Sequence, residues 1–514
     1  MQSKFYITTP IYYVNDLPHI GHAYTTIAAD VLARYKRMAG YTVFFLTGTD
    51  EHGLKVEQAA RDVGETPLQL ANRVVKRFQT LWNELNISHD DFIRTTEPRH
   101  AETVCRFFQK IEANGDIYIG SYEDWYCVPC ESFWTEMQLE NGTCPDCHRP
   151  VEKVREESYF FRLSRYQEPL LAYYRENPEF IQPASRYNEI VNFVRQGLRD
   201  LSISRTSFSW GIPVPGTSHH IFYVWFDALL NYISALDYST GGERFTTLWP
   251  ADVHIIGKDI VRFHAVYWPA FLMSAGLPLP RKVFAHGWWT IEGKKMSKSL
   301  GNVVDPLYLS RQYGVDALRY FLLREVPFGL DGDYSHNAII GRINSDLAND
   351  LGNLLSRTIG MLHKYHGGTL KETSTGGGRE TMLRQHIAKV VKDVDAALEE
   401  LAFHRALFSI WEYIGMVNKY IDESAPWILV KDRTKEHELA TVLAHCVVAL
   451  RKIAVLIAPF MPNSAQTMWQ ALAGEGSIFE QKMQDVVLWD SMPQGTRIEK
   501  IPALFPRIQN DGGV

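Results

Sequence analysis

The sequence predicts an α/β protein with a doubly wound parallel sheet, which is split by an inserted domain and followed by an all-α helix bundle. Three observations support this prediction. Short strand-like runs alternate with helical patterns in the first part of the chain. Between about residues 117 and 216 the pattern changes to short aromatic strands and two Cys-x-x-Cys pairs, after which the alternation resumes. Beyond about residue 344 the strand signals fade and long segments carry helical spacing.

The first elements follow the order strand, helix, strand, helix. Residues 4–8 alternate like a strand, and residues 21–38 repeat apolar side chains with helical spacing. The run TVFFL at 42–46 is β-branched and aromatic, which is typical of a buried parallel strand. Helical patterns follow at 54–63 and 68–85. This order predicts a Rossmann-type sheet.

The later elements complete the organisation that we expect. Buried-strand runs return at 253–256 and 283–285. Helical spacing, typical of a bundle, then covers 341–366, 379–400, 402–423 and 435–459. These changes divide the chain into the first half of the α/β domain (1–116), the inserted domain (117–216), the second half of the α/β domain (217–290), a loop region (291–343), the helix bundle (344–490) and a C-terminal tail (491–514).

Composition and charge exclude several classes of protein. The 514 residues are 46% hydrophobic and 22% charged, which is ordinary globular usage. The net charge of -6 excludes a protein that coats nucleic acid through bulk positive charge, so any such contact must be a local patch. The sequence shows neither an uninterrupted apolar run of about 18 residues nor a secretory leader. We therefore expect no membrane span and a cytoplasmic location.

The two Cys-x-x-Cys pairs predict a metal site. Cys127 and Cys130 are followed, after 13 intervening residues, by Cys144 and Cys147. Two such knuckles present four thiolates for one tetrahedral Zn²⁺ ion, and a site with four protein ligands is structural rather than catalytic. His148 is not expected to be a ligand. Buried free cysteines and a redox pair are the alternatives.

The motif His19-Ile20-Gly21-His22 lies where the first predicted strand leads into the first predicted helix. Open α/β sheets bind nucleotides at such a crevice. The two imidazoles can donate hydrogen bonds to phosphoryl oxygens, and Gly21 lets the backbone approach a nucleotide without a Cβ clash. A polar N-cap of the helix is the alternative interpretation.

A second candidate motif is the lysine-rich loop that follows the last predicted α/β strand. Its sequence KKMSKS at 294–299 includes Lys295 and Lys298 and is flanked by Gly293 and Gly301. Ammonium donors on such a loop suit a departing pyrophosphate. Lysine runs are otherwise found in solvated loops, which is the alternative here.

In this order and on these elements, the two motifs are the paired signatures of class I aminoacyl-tRNA synthetases. The sequence resembles the methionyl-tRNA synthetase family of that class from residue 4 to about 430. The segments that carry the resemblance are FYITTPIYYVNDLPHIGH at 5–22, GTDEHG at 48–53, YVWFDALLNY at 223–232, HIIGKDIVRFH at 254–264 and HGWWTIEGKKMSKS at 286–299. The rival interpretations are another class I ligase, specific for cysteine or an aliphatic amino acid, and a catalytically silent zinc-containing paralogue that binds tRNA.

The resemblance implies a reaction in two steps. L-Methionine and ATP, accompanied by Mg²⁺, would form methionyl-adenylate, after which the methionyl group would move to the terminal adenosine of tRNA(Met). His19, Gly21 and His22 would bind ATP and the adenylate, and Lys295 and Lys298 would stabilise the leaving pyrophosphate. The carboxylate of the substrate is itself the nucleophile, so no general base is required.

The resemblance also implies two sets of binding residues. The methionine site would consist of Ile11, Tyr13, Asp50, Trp225, Leu229, Tyr232 and His264. Asp50 would bind the ammonium group, and a tyrosine hydroxyl or an imidazole could donate weakly to sulfur. Taken without the resemblance, Trp225 and Tyr232 are better explained as plain core residues. The family often has proline where this chain has Leu229, a difference that bears on the shape of the pocket there.

The CAU anticodon would be read by three residues of the helix bundle. Asn353 and Arg357 are four positions apart and therefore share a helical face, and Trp427 follows a break between helices. These residue types suit splayed RNA bases, which stack on aromatic or guanidinium planes. A core tryptophan and a solvated arginine are the alternatives. The chain lacks the length for an appended dimerisation domain, so we expect a monomer.

Overall fold

A computed structural model gives the architecture of the chain. It describes residues 3–15, 17–128, 130, 132–134, 136–145, 147–291, 293–295, 304–373 and 376–509. The strands are β1 (Lys4–Tyr13), β2 (Thr42–Asp50), β3 (Asp91–Arg94), β4 (Ile117–Cys127), β5 (Ser132–Trp134), β6 (Glu152–Phe161), β7 (Ile181–Gln182), β8 (Leu201–Ser202), β9 (Ser204–Arg205), β10 (Ile221–Phe222), β11 (Val253–Gly257), β12 (Val283–His286), β13 (Trp289–Ile291), β14 (Lys294–Lys295) and β15 (Gly332–Tyr334).

Helices account for most of the rest of the described chain. The α-helices are α1 (Ile20–Met38), α2 (Leu54–Asp62), α3 (Pro67–Glu84), α4 (Pro98–Ala113), α5 (Gln167–Glu176), α6 (Ala184–Arg195), α7 (Val224–Leu229), α8 (Asn231–Ser234), α9 (Glu243–Leu248), α10 (Trp268–Ser274), α11 (Pro306–Tyr313), α12 (Val315–Arg324), α13 (His336–Arg342), α14 (Asn353–His366), α15 (Gly378–Glu399), α16 (Phe403–Ser424), α17 (Pro426–Leu429), α18 (Glu436–Ile457) and α19 (Pro462–Ala471). Two π-helical segments, Phe263–Tyr267 and Ile343–Gly352, lie directly before α10 and between α13 and α14.

Six strands form the main sheet in the order β3-β2-β1-β11-β12-β7, and every pair in it is parallel. The predicted doubly wound parallel sheet is therefore confirmed. A separate antiparallel sheet, in the order β5-β4-β6-β8, lies in the inserted region. Strand β7 belongs by pairing to the main sheet, although it lies within the stretch 117–216, so the division into six stretches stays a prediction.

Strand β1 is longer than the sequence predicts, because it continues through Pro10. Thr8 pairs with Leu46 but Ile11 pairs with Gly48, so β1 contains one residue more than β2 in this interval. An extra residue of this kind is a β-bulge, and proline, which has no N–H for the ladder, is tolerated there. The bulge carries β1 on to the carboxyl edge of the sheet, where open α/β sheets bind ligands.

The C-terminal part of the described chain is helical, as predicted. Helices α15, α16 and α18 match the expected segments, and α13, the π-helical segment and α14 form one continuous helix. One described helix, Arg433–Ile457, is long and apolar enough to cross a membrane, but 83% of its apolar stretch is buried inside the protein. It packs against α14, α16 and α19, which is typical of the central helix of a bundle.

A buried arginine joins the sheet domain to the bundle. The side chain of Arg319 on α12 is fully buried. Its guanidinium donates to Asp30 Oδ2 on α1 at 2.6 Å, to Leu85 O at 3.1 Å and to Phe460 O at 2.8 Å. Burial alone would raise the pKa of Asp30, but the charges of Arg34 and Arg319 lower it to about 2. Segments of the sheet domain and of the bundle therefore contact the same charged guanidinium.

Candidate functional site

The His19-Ile20-Gly21-His22 motif forms the N-terminus of α1, at the carboxyl edge of the main sheet. The Gly21 N–H donates to His19 Nδ1 at 3.1 Å, and the His19 N–H donates to His22 Nδ1 at 3.1 Å. The two imidazoles stack with ring centroids 3.8 Å apart. The N-cap interpretation therefore holds as geometry, and it does not compete with the nucleotide interpretation, because the cap uses one nitrogen of each ring.

The same hydrogen bonds fix the tautomers of both histidines. A ring nitrogen that accepts from a backbone N–H carries no proton, so His19 and His22 are protonated at Nε2 when neutral. Burial and the neighbouring His19 hold the pKa of His22 well below its ordinary value. At neutral pH the His22 ring is thus an uncharged Nε2–H donor, the form that hydrogen-bonds a phosphoryl oxygen.

Gly21 is confined by the first histidine of the motif. A Cβ at Gly21 would lie 2.9 Å from His19 Cε1 and 3.1 Å from its Nδ1, which is closer than side chains pack. Alanine there would displace the imidazole. The helix also contacts the end of the lysine loop, since the Ile20 N–H donates to Val304 O at 3.2 Å. Lys298 lies outside the described residues, and Lys295 is described only as backbone, in β14.

Three of the residues predicted to bind methionine lie at one edge of the main sheet, at the ends of β1 and β2. Tyr13 and Asp50 are register partners, and the Val14 N–H donates to Asp50 O at 3.2 Å. Ile11 pairs with Gly48, where a Cβ would lie 2.1 Å from Ile93 O. Glycine is therefore required beside this edge, and Asp50 itself is buried.

The other four residues predicted to bind methionine lie on α7, α8 and the first π-helical segment, and all four are buried. The Tyr232 hydroxyl lies 2.7 Å from His264 Nε2, and His264 Nδ1 lies 3.0 Å from Ile260 O. A carbonyl can only accept, so His264 donates from Nδ1 and accepts the tyrosine proton at Nε2. Burial lowers the pKa of His264 to about 4, which keeps this ring neutral. The expected donor to sulfur therefore requires the Tyr232 hydroxyl to turn away from His264.

Two residues that the sequence analysis did not single out complete this group. Phe263 stacks on Trp225 with ring centroids 3.7 Å apart and an angle of 3° between planes. His254 stacks on Tyr232 at 4.1 Å, and its Nδ1 lies 2.8 Å from Thr8 Oγ1. Both belong to the segment HIIGKDIVRFH at 254–264. The sequence analysis identified this segment but selected only His264 from it.

A buried carboxylate beside the pocket was also missed. Asp227 lies between Trp225 and Leu229 on α7 and is fully buried. His52 Nδ1 lies 2.7 Å from its Oδ2, and His100 Nε2 lies 2.6 Å from its Oδ1. The signal that could have found it is a lone acidic residue within the apolar run YVWFDALL, because a buried carboxylate must be paired.

The four predicted zinc ligands meet in one cluster. The sulfur atoms of Cys127, Cys130, Cys144 and Cys147 all lie within 4.8 Å of one another. The distance from Cys127 to Cys147 is 3.5 Å and that from Cys130 to Cys144 is 3.9 Å. A tetrahedron with metal–sulfur bonds of about 2.3 Å has edges of about 3.8 Å. The hydrogen bond between Cys127 and Cys130 lowers the pKa of Cys127 and raises that of Cys130. This group could therefore hold a metal ion.

The inserted region that carries the cysteine cluster lies next to the segment with two of the residues predicted or found at the candidate methionine site. Trp134, which contacts the cluster, lies under the guanidinium of Arg262, whose Cζ is 4.5 Å from the ring centroid. Arg262 directly precedes Phe263 in the chain. The inserted region thus contacts the segment that carries Phe263 and His264.

Two of the three predicted anticodon residues are in contact. Arg357 Nη2 donates to Asp422 Oδ1 at 2.7 Å, and its Cζ lies 6.0 Å from the ring centroid of Trp427. The Trp427 side chain is 40% exposed, which overturns the alternative of a core tryptophan. Ala425 adopts a left-handed conformation with φ +42°, so the chain turns sharply between α16 and α17. Asn353 is exposed one helical turn before Arg357.

Comparisons with known proteins agree with this geometry. A family model described as tRNA synthetases class I (M) matches residues 5–153 and 149–359, and the model of the anticodon binding domain of methionyl tRNA ligase matches residues 370–513. The fold and the site thus define a class I aminoacyl-tRNA synthetase.

Relatives and solved structures narrow the assignment. The methionine–tRNA ligase of Caldanaerobacter subterraneus subsp. tengcongensis is 54% identical over 99% of this chain and 79% of its own length, and that of Halalkalibacterium halodurans is 50% identical over the same shares. Mycobacterium tuberculosis methionyl-tRNA synthetase in complex with methionyl-adenylate superposes with a TM-score of 0.95, at 46% identity over 98% of this chain and 100% of that one. The chain belongs to the methionyl-tRNA synthetases. It is an enzyme that activates methionine and joins it to tRNA.

Proposed function

We propose that the crevice between β1 and α1 binds ATP and forms methionyl-adenylate, and that the methionyl group then passes to the terminal adenosine of tRNA(Met). The observation that carries this proposal is the pair of stacked histidines whose backbone hydrogen bonds leave Nε2–H as the donor of each ring. They lie at a helix N-terminus, where backbone dipoles also favour phosphate.

The first step is an in-line displacement at the α-phosphorus of ATP. A carboxylate oxygen of methionine forms the new P–O bond, and the bond to the bridging oxygen breaks, so pyrophosphate leaves with the electron pair. His19 and His22 hold phosphoryl oxygens, and Lys295 and Lys298 stabilise the charge that develops on pyrophosphate. Mg²⁺ travels with ATP and supplies charge neutralisation on its phosphates. In the second step a ribose hydroxyl of the terminal adenosine attacks the methionyl carbonyl, and AMP leaves.

The methionine side chain enters the group formed by Ile11, Tyr13, Trp225, Leu229, Tyr232 and His264, and Asp50 binds the ammonium. Apolar and aromatic walls suit a polarizable thioether. The neutral Tyr232–His264 pair adds no net charge to this pocket, which is consistent with an uncharged substrate side chain. One methylene is worth only about 1–3 kcal/mol in such a pocket, so close analogues of methionine should compete.

The cysteine cluster holds one structural Zn²⁺. The sulfur spacing fits a tetrahedral thiolate site, and four protein ligands leave no position for a substrate. Its function is to fold the inserted region, whose Trp134 then packs on Arg262.

Cys127→Ser should reduce the zinc content measured by atomic absorption and lower the melting temperature, whereas Cys446→Ser, at a buried cysteine outside the cluster, should keep its zinc. Full zinc content in Cys127→Ser would contradict the four-cysteine assignment.

The bundle reads the CAU anticodon through Asn353, Arg357 and Trp427. The exposed indole and the neighbouring guanidinium offer planar surfaces on which unpaired bases stack. We also propose that the protein acts as a monomer in the cytoplasm. Light scattering during gel filtration tests the oligomeric state.

Amino-acid-dependent exchange of pyrophosphate into ATP tests the reaction directly. We expect exchange with methionine and little with leucine, isoleucine, valine or cysteine. Lys298→Ala should lower the exchange rate far more than it weakens methionine binding, because its contact strengthens in the transition state. Exchange with another amino acid would overturn the pocket assignment, and no exchange from folded, zinc-loaded protein would favour the silent paralogue.

A further inference from the structure

A buried carboxylate links two elements that carry opposite ends of the proposed methionine site. Asp227 accepts hydrogen bonds at both of its oxygens, from His52 at 2.7 Å and from His100 at 2.6 Å. Burial alone would raise its pKa, but the charge of His52 and the hydrogen bond from His100 lower the pKa of Asp227 to about 2. The carboxylate is therefore ionised, and hydrogen bonds to an ionised group are short and directional.

The first of these elements is the loop that follows β2. His52 lies two residues after Asp50, and it is 7% exposed. The loop is also fixed from its other side, because the Glu51 N–H donates to Thr95 Oγ1 at 2.9 Å and the Trp210 indole donates to Glu51 O at 2.6 Å. These bonds hold the loop to its neighbours, and the bond from His52 joins it to α7.

The second element is the short helix α7. Trp225 and Leu229 lie two positions before and two positions after Asp227, so the wall of the side-chain pocket and the carboxylate move as one unit. His100 supports this unit from behind, since its Nδ1 lies 2.9 Å from Ser234 Oγ on α8, whose hydroxyl donates to Leu230 O at 2.7 Å. A change at Asp227 would therefore shift α7 relative to the loop rather than remove a pocket wall.

We propose that Asp227 is a positioning residue that sets the length of amino acid side chain the enzyme prefers. It does so by fixing the distance between Asp50, which binds the ammonium, and the pocket wall formed by Trp225 and Leu229. This inference rests on the roles proposed above for those residues. Asp227 does not touch the substrate; it acts through His52.

The test compares two substrates that differ by one methylene. Pyrophosphate exchange is measured with L-methionine and with L-ethionine for the wild-type enzyme and for Asp227→Asn, which keeps the shape but cannot accept from both histidines. We expect KM for methionine to rise about tenfold while kcat changes less than about threefold. The ratio of kcat/KM for methionine to that for ethionine should fall at least about fivefold, because one methylene no longer meets a fixed wall.

A second variant and a matched control separate positioning from general loosening. His52→Leu removes the donor but keeps a buried side chain, and it should lower the methionine-to-ethionine ratio in the same direction. Asp316→Asn changes another buried carboxyl, which accepts the Ser464 N–H at 2.5 Å at the junction with the bundle. It should lower the melting temperature and leave the ratio unchanged.

The outcomes distinguish this inference from the proposed function. An unchanged ratio in both Asp227→Asn and His52→Leu, with methionine exchange retained, would overturn the positioning role alone. A ratio that falls equally in Asp316→Asn would also overturn it, because any destabilised variant would then lose discrimination. A wild-type enzyme that exchanged no pyrophosphate with methionine would contradict the proposed function itself.

Discussion

The catalytic half and the helix bundle present their candidate binding residues in opposite ways. In the catalytic half Asp50, Tyr232 and His264 are buried, and hydrogen bonds join Tyr232 to His264 and His264 to Ile260 O. In the bundle the indole of Trp427 is 40% exposed, and the partner of Arg357 is Asp422, whose side chain is 61% exposed.

This difference follows from what each site must hold. A methionine side chain offers few atoms, so its pocket gains discrimination only if the walls and hydrogen bonds are already in place. An unpaired RNA loop offers large base faces and can adapt its backbone, so exposed planar groups are sufficient to read it. In the proposed assignment, burial therefore accompanies small-ligand selectivity, and exposure accompanies recognition of a large, deformable partner.

The sharpest test of the catalytic half separates capping from catalysis at the N-terminus of α1. Asparagine is a good N-cap, so His19→Asn should keep the helix start and the melting temperature. It removes the Nε2–H donor, so kcat for pyrophosphate exchange should fall about 10²–10³-fold. Calorimetry and exchange kinetics on the same preparation check both parts. Wild-type exchange in this variant would leave His19 with the capping role alone.

The pH dependence of stability tests how firmly the pocket is buried. The pKa of His264 is about 4 in the folded enzyme, below that of an unfolded histidine, so the unfolded chain takes up the proton first as the pH falls. His264 therefore contributes about 3 kcal/mol to the free energy of unfolding. This contribution is complete above about pH 6.5 and is lost by about pH 4. Urea unfolding across this range should show a shallower pH dependence for His264→Gln. His437→Gln, at an exposed histidine, serves as the control. An equally shallow pH dependence of stability in this variant would argue against the titration of a buried His264.

In the bundle, Trp427→Ala should impair aminoacylation and spare activation. Loss of one stacked base is worth about 1–3 kcal/mol, so kcat/KM for tRNA should fall about 5- to 150-fold while pyrophosphate exchange keeps its wild-type rate. Ile428→Ala, at a neighbouring residue that is 59% exposed, is the matched control for surface truncation. Equal losses in both reactions would indicate that Trp427 stabilises the fold instead.

The smallest effect is expected at the ion pair of the bundle. Asp422→Asn removes the partner of Arg357, and exposed pairs of this kind contribute less than about 1 kcal/mol to the free energy of unfolding. KM for tRNA should fall about twofold at low salt, because one negative charge near the RNA is removed. Glu423→Gln, at the adjacent position, controls for net charge. A large loss of stability would show that this region is more constrained than its exposure indicates.

Much of the fold could be predicted from periodicity, because alternating and helical patterns report directly on which face is buried. Helix α1, strands β2, β11 and β12 and the long bundle helices follow their patterns. The continuation of β1 past Pro10 could not be predicted in the same way, since a bulge depends on the register of a neighbouring strand. The short strand β7 likewise has too few residues to show a period.

The site was predictable where chemistry is local in sequence. The four cysteines carry their ligand spacing with them, and the histidine motif adjoins a helix start. Asp227 is different, because its partners His52 and His100 lie 175 and 127 positions away in the chain. A lone carboxylate in an apolar run indicates that partners exist, but only the packing of α4, α7 and the loop after β2 identifies them.

The fully buried Arg319 also has a consequence that we expect for thermal unfolding. Separating the bundle from the sheet domain would leave Arg319 and Asp30 charged in an apolar surface or would expose the carbonyls that the guanidinium satisfies. We therefore expect that neither half loses its structure without disturbing the other. The sheet domain, including the helix that carries His19 and His22, and the helix bundle should thus unfold as one cooperative unit, which calorimetry would register as a single heat-absorption peak.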